Sequence, residues 1–336
     1  MKPIIYIIII AVCSCTSNLF AQEDPTWDNT AKNKWNPALE EVSIPSTTDE
    51  KIQKAVLYKA KSSSDKPLIV SLHTWSGDYM QKDPLVKEIL ERDWNYIHPD
   101  FRGPNNQPDA MCSPLVLSDL EDAIAFALKH TNADPEEVHI IGVSGGGLAT
   151  LFAYMNIGYP VKSFSAWVPI SDIDAWYWES VGRQQKYAHD ILKSVSATNT
   201  FNRENALLRS PLHQSFPKEK RERSTLFIYA GIHDGYTGSV PITHSLHMYN
   251  RLVGELKYNT AQMETILSHA KADPDLISEK EMIDLITKRM NPHYNKYGTL
   301  LGRNIHLVRY YKNIRITIFE GSHEQIPQAL TLLPME

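Results

Sequence analysis

The sequence is poor in cysteine and has neither a basic tract nor an apolar run long enough to span a bilayer. Of its three cysteines, Cys13 and Cys15 lie near the N-terminus. If that end is removed, Cys112 alone remains and no internal disulfide can form. A formal net charge of −5 without clustered lysine or arginine argues against a nucleic-acid partner. The histidines, cysteines and acids show no zinc-site spacing, so we expect neither a metal nor an organic cofactor.

The N-terminal end has the pattern of an export signal. Lys2 precedes an apolar run over residues 4–12, and small and polar residues continue to Ala21. The run is shorter than the roughly 20 residues of a membrane-spanning helix. We therefore predict a signal peptide over residues 1–22 and a secreted, periplasmic protein. Val12 to Cys15 also resembles a lipoprotein cleavage box, so the alternative is an outer-membrane lipoprotein that contacts the membrane only through a lipid on Cys15.

The remaining chain is predicted to be one α/β domain. Residues 23–54 are polar and are expected to cover the surface, so the domain proper is placed at 55–336. Alternating patterns predict strands near 67–72, 96–97, 138–143, 163–168, 225–229 and 315–319, with helices near 83–92, 117–130, 148–154 and 278–290. This alternation is typical of a mostly parallel sheet flanked by helices. The intervals 171–223 and 254–313 are too long for plain connections and are predicted to be cap-like insertions over or beside the cleft.

A Gly-Val-Ser-Gly-Gly segment at residues 142–146 stands between an apolar strand and a helical pattern. This context is that of a nucleophile elbow, in which a tight turn exposes the serine, here Ser144. The N–H of Gly145 is then the first donor of an oxyanion hole. The alternative is a glycine-rich turn that binds a phosphate or dinucleotide. That alternative is disfavoured because the segment does not follow the first strand and no acidic residue ends the next strand.

A serine nucleophile needs a base and an acid, and both types follow later strands. Asp234 comes after the strand at 225–229, and His323 comes after the last strand. The histidine accepts the serine proton, and the carboxylate orients the histidine. The order Ser144, Asp234, His323 is therefore predicted to form a catalytic triad. Rival acids and histidines at strand ends are Asp172, Asp174, His73, His98 and His233.

Residues beside the triad are candidates for binding the carbonyl and the substrate. The second oxyanion donor is expected in the loop after the early strand, from the N–H of Thr74 or Trp75. Trp176 and Trp178 suit stacking on sugar rings, although a cap helix packing its aromatic face into the core is the alternative. The candidate substrate-binding residues are Arg102, which can pair with a uronate carboxylate, Trp176, Trp178 and Tyr236. Arg183 and Lys186 are further cations that can pair with a uronate carboxylate, and a solvated surface charge is the favoured alternative for each of the three taken alone.

These segments resemble the α/β-hydrolase superfamily and, within it, the catalytic domain of the prolyl oligopeptidase-like group and its esterase relatives. The similarity rests on the serine motif at 142–146, Asp-Phe-Arg-Gly at 100–103, Asp234 with Val-Pro at 240–241, and Gly-Ser-His-Glu at 321–324. The resemblance implies an α/β-hydrolase fold and serine hydrolase activity. The chain departs from the group at residues 73–75, where those peptidases carry a His-Gly-Gly-type loop or a tyrosine hydroxyl in the oxyanion hole.

These observations together predict a secreted carbohydrate esterase. Only about thirty polar residues precede the first hydrolase segment, too few for the β-propeller that selects peptides in the resembling peptidases. We expect removal of acetyl or methyl ester groups from a pectin- or xylan-type polysaccharide, with a small-molecule or oligosaccharide ester as substrate. The first alternative is a serine peptidase that acts on short peptides. The second is an inactive homologue that binds sugars.

Overall fold

The computed structural model describes residues 34–289 and 297–335. The predicted signal peptide, with Cys13 and Cys15, lies outside the described residues. In the described part of the chain, no helix is both long and apolar enough to cross a membrane. Cys112 is a buried free thiol, and burial raises the pKa of that thiol.

A ten-stranded sheet organises the described residues. Its strands are β1 (Glu40–Pro45), β2 (Ile52–Tyr58), β3 (Lys66–Leu72), β4 (Asn95–Pro99), β5 (Ala133–Val143), β6 (Ser163–Trp167), β7 (Thr225–Gly231), β8 (Thr299–Leu300), β9 (Arg303–Tyr311) and β10 (Ile314–Phe319). Their spatial order is β1-β2-β4-β3-β5-β6-β7-β10-β9-β8. The central run from β4 to β10 is parallel, and antiparallel pairs close both edges. The expected mostly parallel α/β architecture is confirmed.

Helices connect and cover the strands. Within the described residues they are α1 (Leu85–Arg92), α2 (Pro114–His130), α3 (Gly145–Asn156), α4 (Ile173–Gly182), α5 (Tyr187–Val195), α6 (Arg203–Leu208), α7 (Thr243–Tyr258), α8 (Met263–Ala270) and α9 (Glu279–Lys288). Short 3₁₀ turns lie at Pro211–His213, Glu219–Arg221 and Ala329–Leu332. The central strands β4 and β6 are buried along their whole length, as strands covered on both faces must be.

Apolar side chains fill a core on each face of the sheet. The larger core joins the sheet to α2, α3, α7 and α8, and the smaller joins it to α1 and the 3₁₀ turn at Ala329–Leu332. Helix α3 is buried from Gly145 to Met155, so it packs deep in the larger core directly behind Ser144. The nucleophile therefore stands on one of the best-buried elements of the fold.

Three predicted boundaries need correction. The polar segment assigned to 23–54 contains β1 and the start of β2, because Ile44 points into the core while its neighbours Ser43 and Pro45 stay exposed. The interval 254–313 is only partly an insertion, since α7 extends through it to Tyr258 and β9 pairs with β10. The helix predicted near 117–130 begins earlier, at Pro114, because Ser113 caps α2 through a side chain that accepts from the Val116 N–H.

Candidate active site

Ser144 occupies a strained turn between β5 and α3. Its backbone dihedrals are φ 59° and ψ −116°, a conformation that residues other than glycine rarely adopt. The turn is held because the Ser144 N–H donates to the Trp167 carbonyl at 2.9 Å. Close approach demands glycine beside it: a Cβ on Gly146 would lie 2.2 Å from the Leu72 carbonyl oxygen. The turn leaves the Ser144 hydroxyl at the edge where the parallel strands end.

The structure brings Ser144, His323 and Asp234 into one hydrogen-bonded chain. His323 Nε2 lies 2.8 Å from Ser144 Oγ, and His323 Nδ1 lies 2.8 Å from Asp234 Oδ2. The other carboxylate oxygen, Asp234 Oδ1, accepts from the N–H groups of Gly235 at 2.9 Å and Val240 at 3.0 Å. Because the aspartate is held on both oxygens, it can fix the ring orientation of His323.

The loops that carry Asp234 and His323 are joined beyond the strand ends. The Ile232 N–H donates to the Phe319 carbonyl at 2.8 Å, and the His233 N–H donates to the Gly321 carbonyl at 3.0 Å. These bonds extend the parallel pairing of β7 and β10 into the two loops. The acid and the base are therefore placed by backbone, which limits their movement relative to each other.

Two backbone amides meet beside Ser144. The Trp75 nitrogen would lie 2.5 Å from a Cβ built on Gly145, so the two residues are in direct contact. The Thr74 N–H, the other predicted donor, is used internally, since it donates to Gln81 Oε1 at 2.9 Å. The geometry thus favours the amides of Trp75 and Gly145 as the pair of donors for an oxyanion.

Gln81 is a residue of the site that sequence reasoning missed. Its Oε1 accepts both from the Thr74 N–H and from Thr74 Oγ1, at 2.9 and 3.0 Å, and the residue is 4% exposed. These bonds fix Thr74, the residue that precedes Trp75, so Gln81 orients the loop that presents the Trp75 amide. The sequence carries no motif that would have identified it.

The insertion at 171–223 packs against the site as a cap. Trp176 in α4 lies edge-on to Trp75 with ring centroids 4.7 Å apart, and the Trp75 indole N–H donates to Asp190 in α5 at 3.1 Å. Arg183, between these helices, donates to the carbonyls of Gly235, Gly238 and Ser239 at 3.3, 3.3 and 2.7 Å. The cap therefore contacts both the oxyanion loop and the loop that follows Asp234.

Arg102 was predicted to bind substrate, and the structure contradicts this prediction. Its side chain is 3% exposed and pairs with Asp119 at 2.6 Å and Asp49 at 2.8 Å. It also donates to Ser46 Oγ at 3.0 Å. The positive φ of 79° at Arg102 turns the side chain inward after β4, so the Asp-Phe-Arg-Gly segment ties the strand end to β1 and α2. The guanidinium is thus committed to the fold.

The aromatic candidates separate into one buried and two exposed residues. Trp176 is fully buried, and its indole N–H donates to the Ser239 carbonyl at 3.1 Å, so the core-packing alternative holds for it. Trp178 is 59% exposed on the outer side of α4, where its described ring contacts are Tyr177 and Phe201. Tyr236 is 69% exposed and lies two residues after the triad aspartate. Tyr236 alone has a position suited to substrate contact.

The rival acids and histidines have other partners. Asp172 caps α4 and bonds His213, and Asp174 pairs with Arg203. His73 stacks on Phe101, and burial lowers the pKa of His98 to about 4.

His233 bonds Glu320, which also bonds His306, at 2.7 and 2.8 Å. Burial opposes ionisation of Glu320, but these two histidines hold its pKa below the ordinary value. The pair anchors the start of the His323 loop. Among the described residues, no group of three histidine, cysteine or acidic side chains is arranged to hold a metal ion.

The sheet, the strained serine turn and the hydrogen-bonded triad define an α/β-hydrolase of the serine type. The family profile described as the prolyl oligopeptidase family matches residues 115–282. This is half of the chain, and the chain belongs to the prolyl oligopeptidase family. The matched range contains Ser144 and Asp234, whereas Trp75 and His323 lie outside it. A search of curated proteins finds no match.

Solved structures of peptidases share the fold. An acylaminoacyl peptidase in complex with Z-Gly-Gly-Phe-chloromethyl ketone is 15% identical, with a TM-score of 0.50 over 69% of this chain and 40% of that one. Prolyl oligopeptidase B from Galerina marginata, as the apo protein, is 17% identical, with a TM-score of 0.51 over 69% of this chain and 33% of that one. The chain thus spans 40% or less of these relatives' length.

Proposed function

We propose that this protein is a serine peptidase that cleaves short peptides through an acyl-enzyme on Ser144. The observation that carries the proposal is the chain of two 2.8 Å hydrogen bonds from Ser144 through His323 to Asp234. An inactive homologue has no need to keep this geometry. Membership of the prolyl oligopeptidase family supports a peptide substrate over a polysaccharide ester.

The geometry supports a two-step reaction. Ser144 Oγ attacks the scissile carbonyl while its proton passes to His323 Nε2, and Asp234 stabilises the resulting imidazolium. The negative oxygen of the tetrahedral intermediate accepts from the amides of Trp75 and Gly145. His323 then gives the proton to the leaving nitrogen, and the acyl group stays on Ser144. A water molecule, deprotonated by His323, attacks the acyl carbonyl and regenerates the Ser144 hydroxyl.

Removal of acetyl or methyl groups from a pectin- or xylan-type polysaccharide is the second candidate. The observation that favours it is the oxyanion loop, where the chain presents the backbone amide of Trp75 instead of a tyrosine hydroxyl. Backbone amides serve an ester carbonyl as well as a peptide carbonyl, and an alkoxide leaving group needs less assistance from the acid than an amine. An ester is therefore a chemically accessible substrate for the same triad.

The test compares amide and ester hydrolysis by the same preparation. Aminoacyl and dipeptidyl 4-nitroanilides, 4-nitrophenyl acetate, and methyl- and acetyl-esterified pectin and xylan are incubated with the native chain and with Ser144→Ala. Cleavage of a nitroanilide that is lost in Ser144→Ala supports the peptidase. Release of methanol or acetate without nitroanilide cleavage contradicts the peptidase proposal and supports the esterase. Absence of any Ser144-dependent turnover, together with no labelling of Ser144 by a fluorophosphonate, contradicts both.

We also propose that the protein is exported, because of the apolar segment at residues 4–12. Expression of the full chain in a Gram-negative host and N-terminal sequencing of the mature protein test this. Cleavage near Ala21 indicates a soluble periplasmic protein, and a blocked, lipid-labelled Cys15 indicates the lipoprotein. An intact Met1 in a cytoplasmic fraction contradicts export.

A further inference from the structure

Cations without carboxylate partners lie beside the two loops that flank Ser144, the oxyanion loop and the loop after Asp234. In the described part of the chain, Arg183, Lys186 and Arg289 form no ion pair, and their contacts are with carbonyls, a hydroxyl and an aromatic ring. Some cations elsewhere are paired with acids, as Lys257 is with Asp273 and Arg303 is with Glu324, whereas the buried Arg209 and Arg221 donate to backbone carbonyls inside the fold. Three cations without an acidic partner therefore lie around one site of a chain whose formal net charge is −5.

Lys186 lies beside the oxyanion loop. Its ammonium donates to Ser76 Oγ at 2.7 Å, and Ser76 follows directly after Trp75. An ammonium has three donors, so this bond leaves capacity for a further acceptor. Lys186 is exposed at the start of α5, where a bound molecule can reach it.

Arg289 lies beside the loop that follows Asp234. Its guanidinium carbon is 4.0 Å from the centre of the Tyr236 ring, and Tyr236 is 69% exposed. This loop also reaches the base, because a Cβ on Gly238 would lie 2.7 Å from His323 Cβ. Stacking on a ring holds the plane of a guanidinium while its edge N–H groups remain directed outward. That edge matches the two oxygens of a carboxylate.

Other charges at these loops have partners already. Arg183 is committed to the three carbonyls after Asp234, so we assign it a structural role. Two acids of the cap have other hydrogen-bond partners: Asp190 accepts from the Trp75 indole, and Glu179 bonds His244 at 3.1 Å. Lys186 and Arg289 therefore remain as the cations that a ligand can engage.

From these observations we propose that the site prefers substrates with a carboxylate close to the scissile bond, bound by Arg289 on its Tyr236 platform and by Lys186. This inference rests on the proposed function and names its substrate class: acidic peptides, or esters of acidic acyl groups. The carboxylate would add an ion pair to the contacts of the carbonyl with Trp75 and Gly145. A partly exposed ion pair contributes up to about 1 kcal/mol, or about a fivefold preference.

The experiment uses substrate pairs that differ only in glutamate against glutamine. The methyl esters of N-acetylglutamate and N-acetylglutamine place the carboxylate or the amide that replaces it on the acyl side of the scissile bond. Acetyl-Ala-Glu-amide and acetyl-Ala-Gln-amide place it on the leaving-group side. We expect kcat/KM to be about fivefold higher for the charged member of at least one pair. That ratio should fall towards one in Lys186→Gln and Arg289→Gln and at high salt, and Arg289→Lys should keep part of it.

The control is Arg203→Gln, which removes an exposed cation that pairs with Asp174 on the cap surface and should leave the ratio unchanged. Equal rates within both pairs, or a preference that persists in Lys186→Gln/Arg289→Gln, overturns the inference. Binding of N-acetylglutamate and N-acetylglutamine to Ser144→Ala, measured by calorimetry, tests the same preference without turnover. Tighter binding of the glutamate derivative in the absence of hydrolysis would contradict the proposed function and support the anion site.

Discussion

Replacing Arg102 with methionine should destabilise the fold and leave substrate binding intact. The guanidinium lies against Asp119, with donor to acceptor distances of 2.6 and 2.9 Å, and the Asp119 side chain is 1% exposed. Methionine keeps the apolar stem of the side chain, but it leaves the Asp119 carboxylate buried without the Arg102 cation. Removing one partner of a buried ion pair costs about 3–5 kcal/mol of the free energy of unfolding.

Thermal unfolding is monitored by circular dichroism, and KM is measured for the best substrate. For a chain of this size about 1 kcal/mol corresponds to about 2 °C, so the Tm should fall by about 6–10 °C. The hydrogen bond from Arg102 is the main reason that the pKa of Asp49 is lowered to about 2, so that pKa should rise in the variant. Arg102→Met combined with Asp119→Leu should recover part of the loss, because the unpaired acid is removed. An unchanged Tm with a KM raised tenfold would refute this assignment and restore Arg102 to the substrate site.

Three further predictions concern the site and the pH dependence of stability. Gln81→Met should lower kcat by about 10-fold or more with little change in KM, since outright loss of an oxyanion donor lowers kcat by about 10²–10³. Gln81→Glu keeps an acceptor for Thr74 and should retain more activity. A change in KM alone would argue against the orienting role. Asp234→Asn should lower kcat by about 10⁴ without lowering the Tm, and activity within tenfold of the native chain would exclude Asp234 as the acid. Burial lowers the pKa of His98 and of His139 in the folded chain to about 4 from 6.5. Between pH 4 and pH 6.5 the unfolded chain therefore binds more protons, so stability should fall as the pH drops from about 6.5 to about 4. In urea unfolding, His139→Gln should flatten this pH dependence, and an unchanged slope would contradict the prediction.

The sequence is most informative where a residue's role depends on local pattern. Strands such as β3 and β6 are apolar runs between turns, and their predicted positions agree with the structure within a residue or two. The triad could be placed because the ends of parallel strands share one edge of the sheet, so a serine, an acid and a histidine after successive strands must meet there. The structure brings together Ser144, Asp234 and His323 as that reasoning predicts, and their catalytic roles stay predictions until the variants are measured.

Contacts between residues far apart in the chain could not be predicted from local sequence patterns. Arg102 follows a strand end just as the triad residues do, but its partners Asp49 and Asp119 come from β-edge and helical segments whose approach no local pattern specifies. Trp176 and Trp178 are two residues apart on α4, and an angular difference of about 200° on a helix places one in the core and the other in solvent. Which of the two faces inward depends on the cap's packing against Trp75, and this is a property of the tertiary structure.

The joint between α4 and α5 has a consequence for how this chain tolerates change. Within a few residues it supplies Arg183 to the acid loop and Lys186 to the oxyanion loop, and Asp190 holds the Trp75 indole one turn later. A deletion or a shift of one residue here would misplace several contacts at once, although the segment has the composition of a dispensable insertion. Loop grafting or random insertion should therefore be accepted far more readily near Asn199, on the outer end of the cap, than between residues 183 and 190.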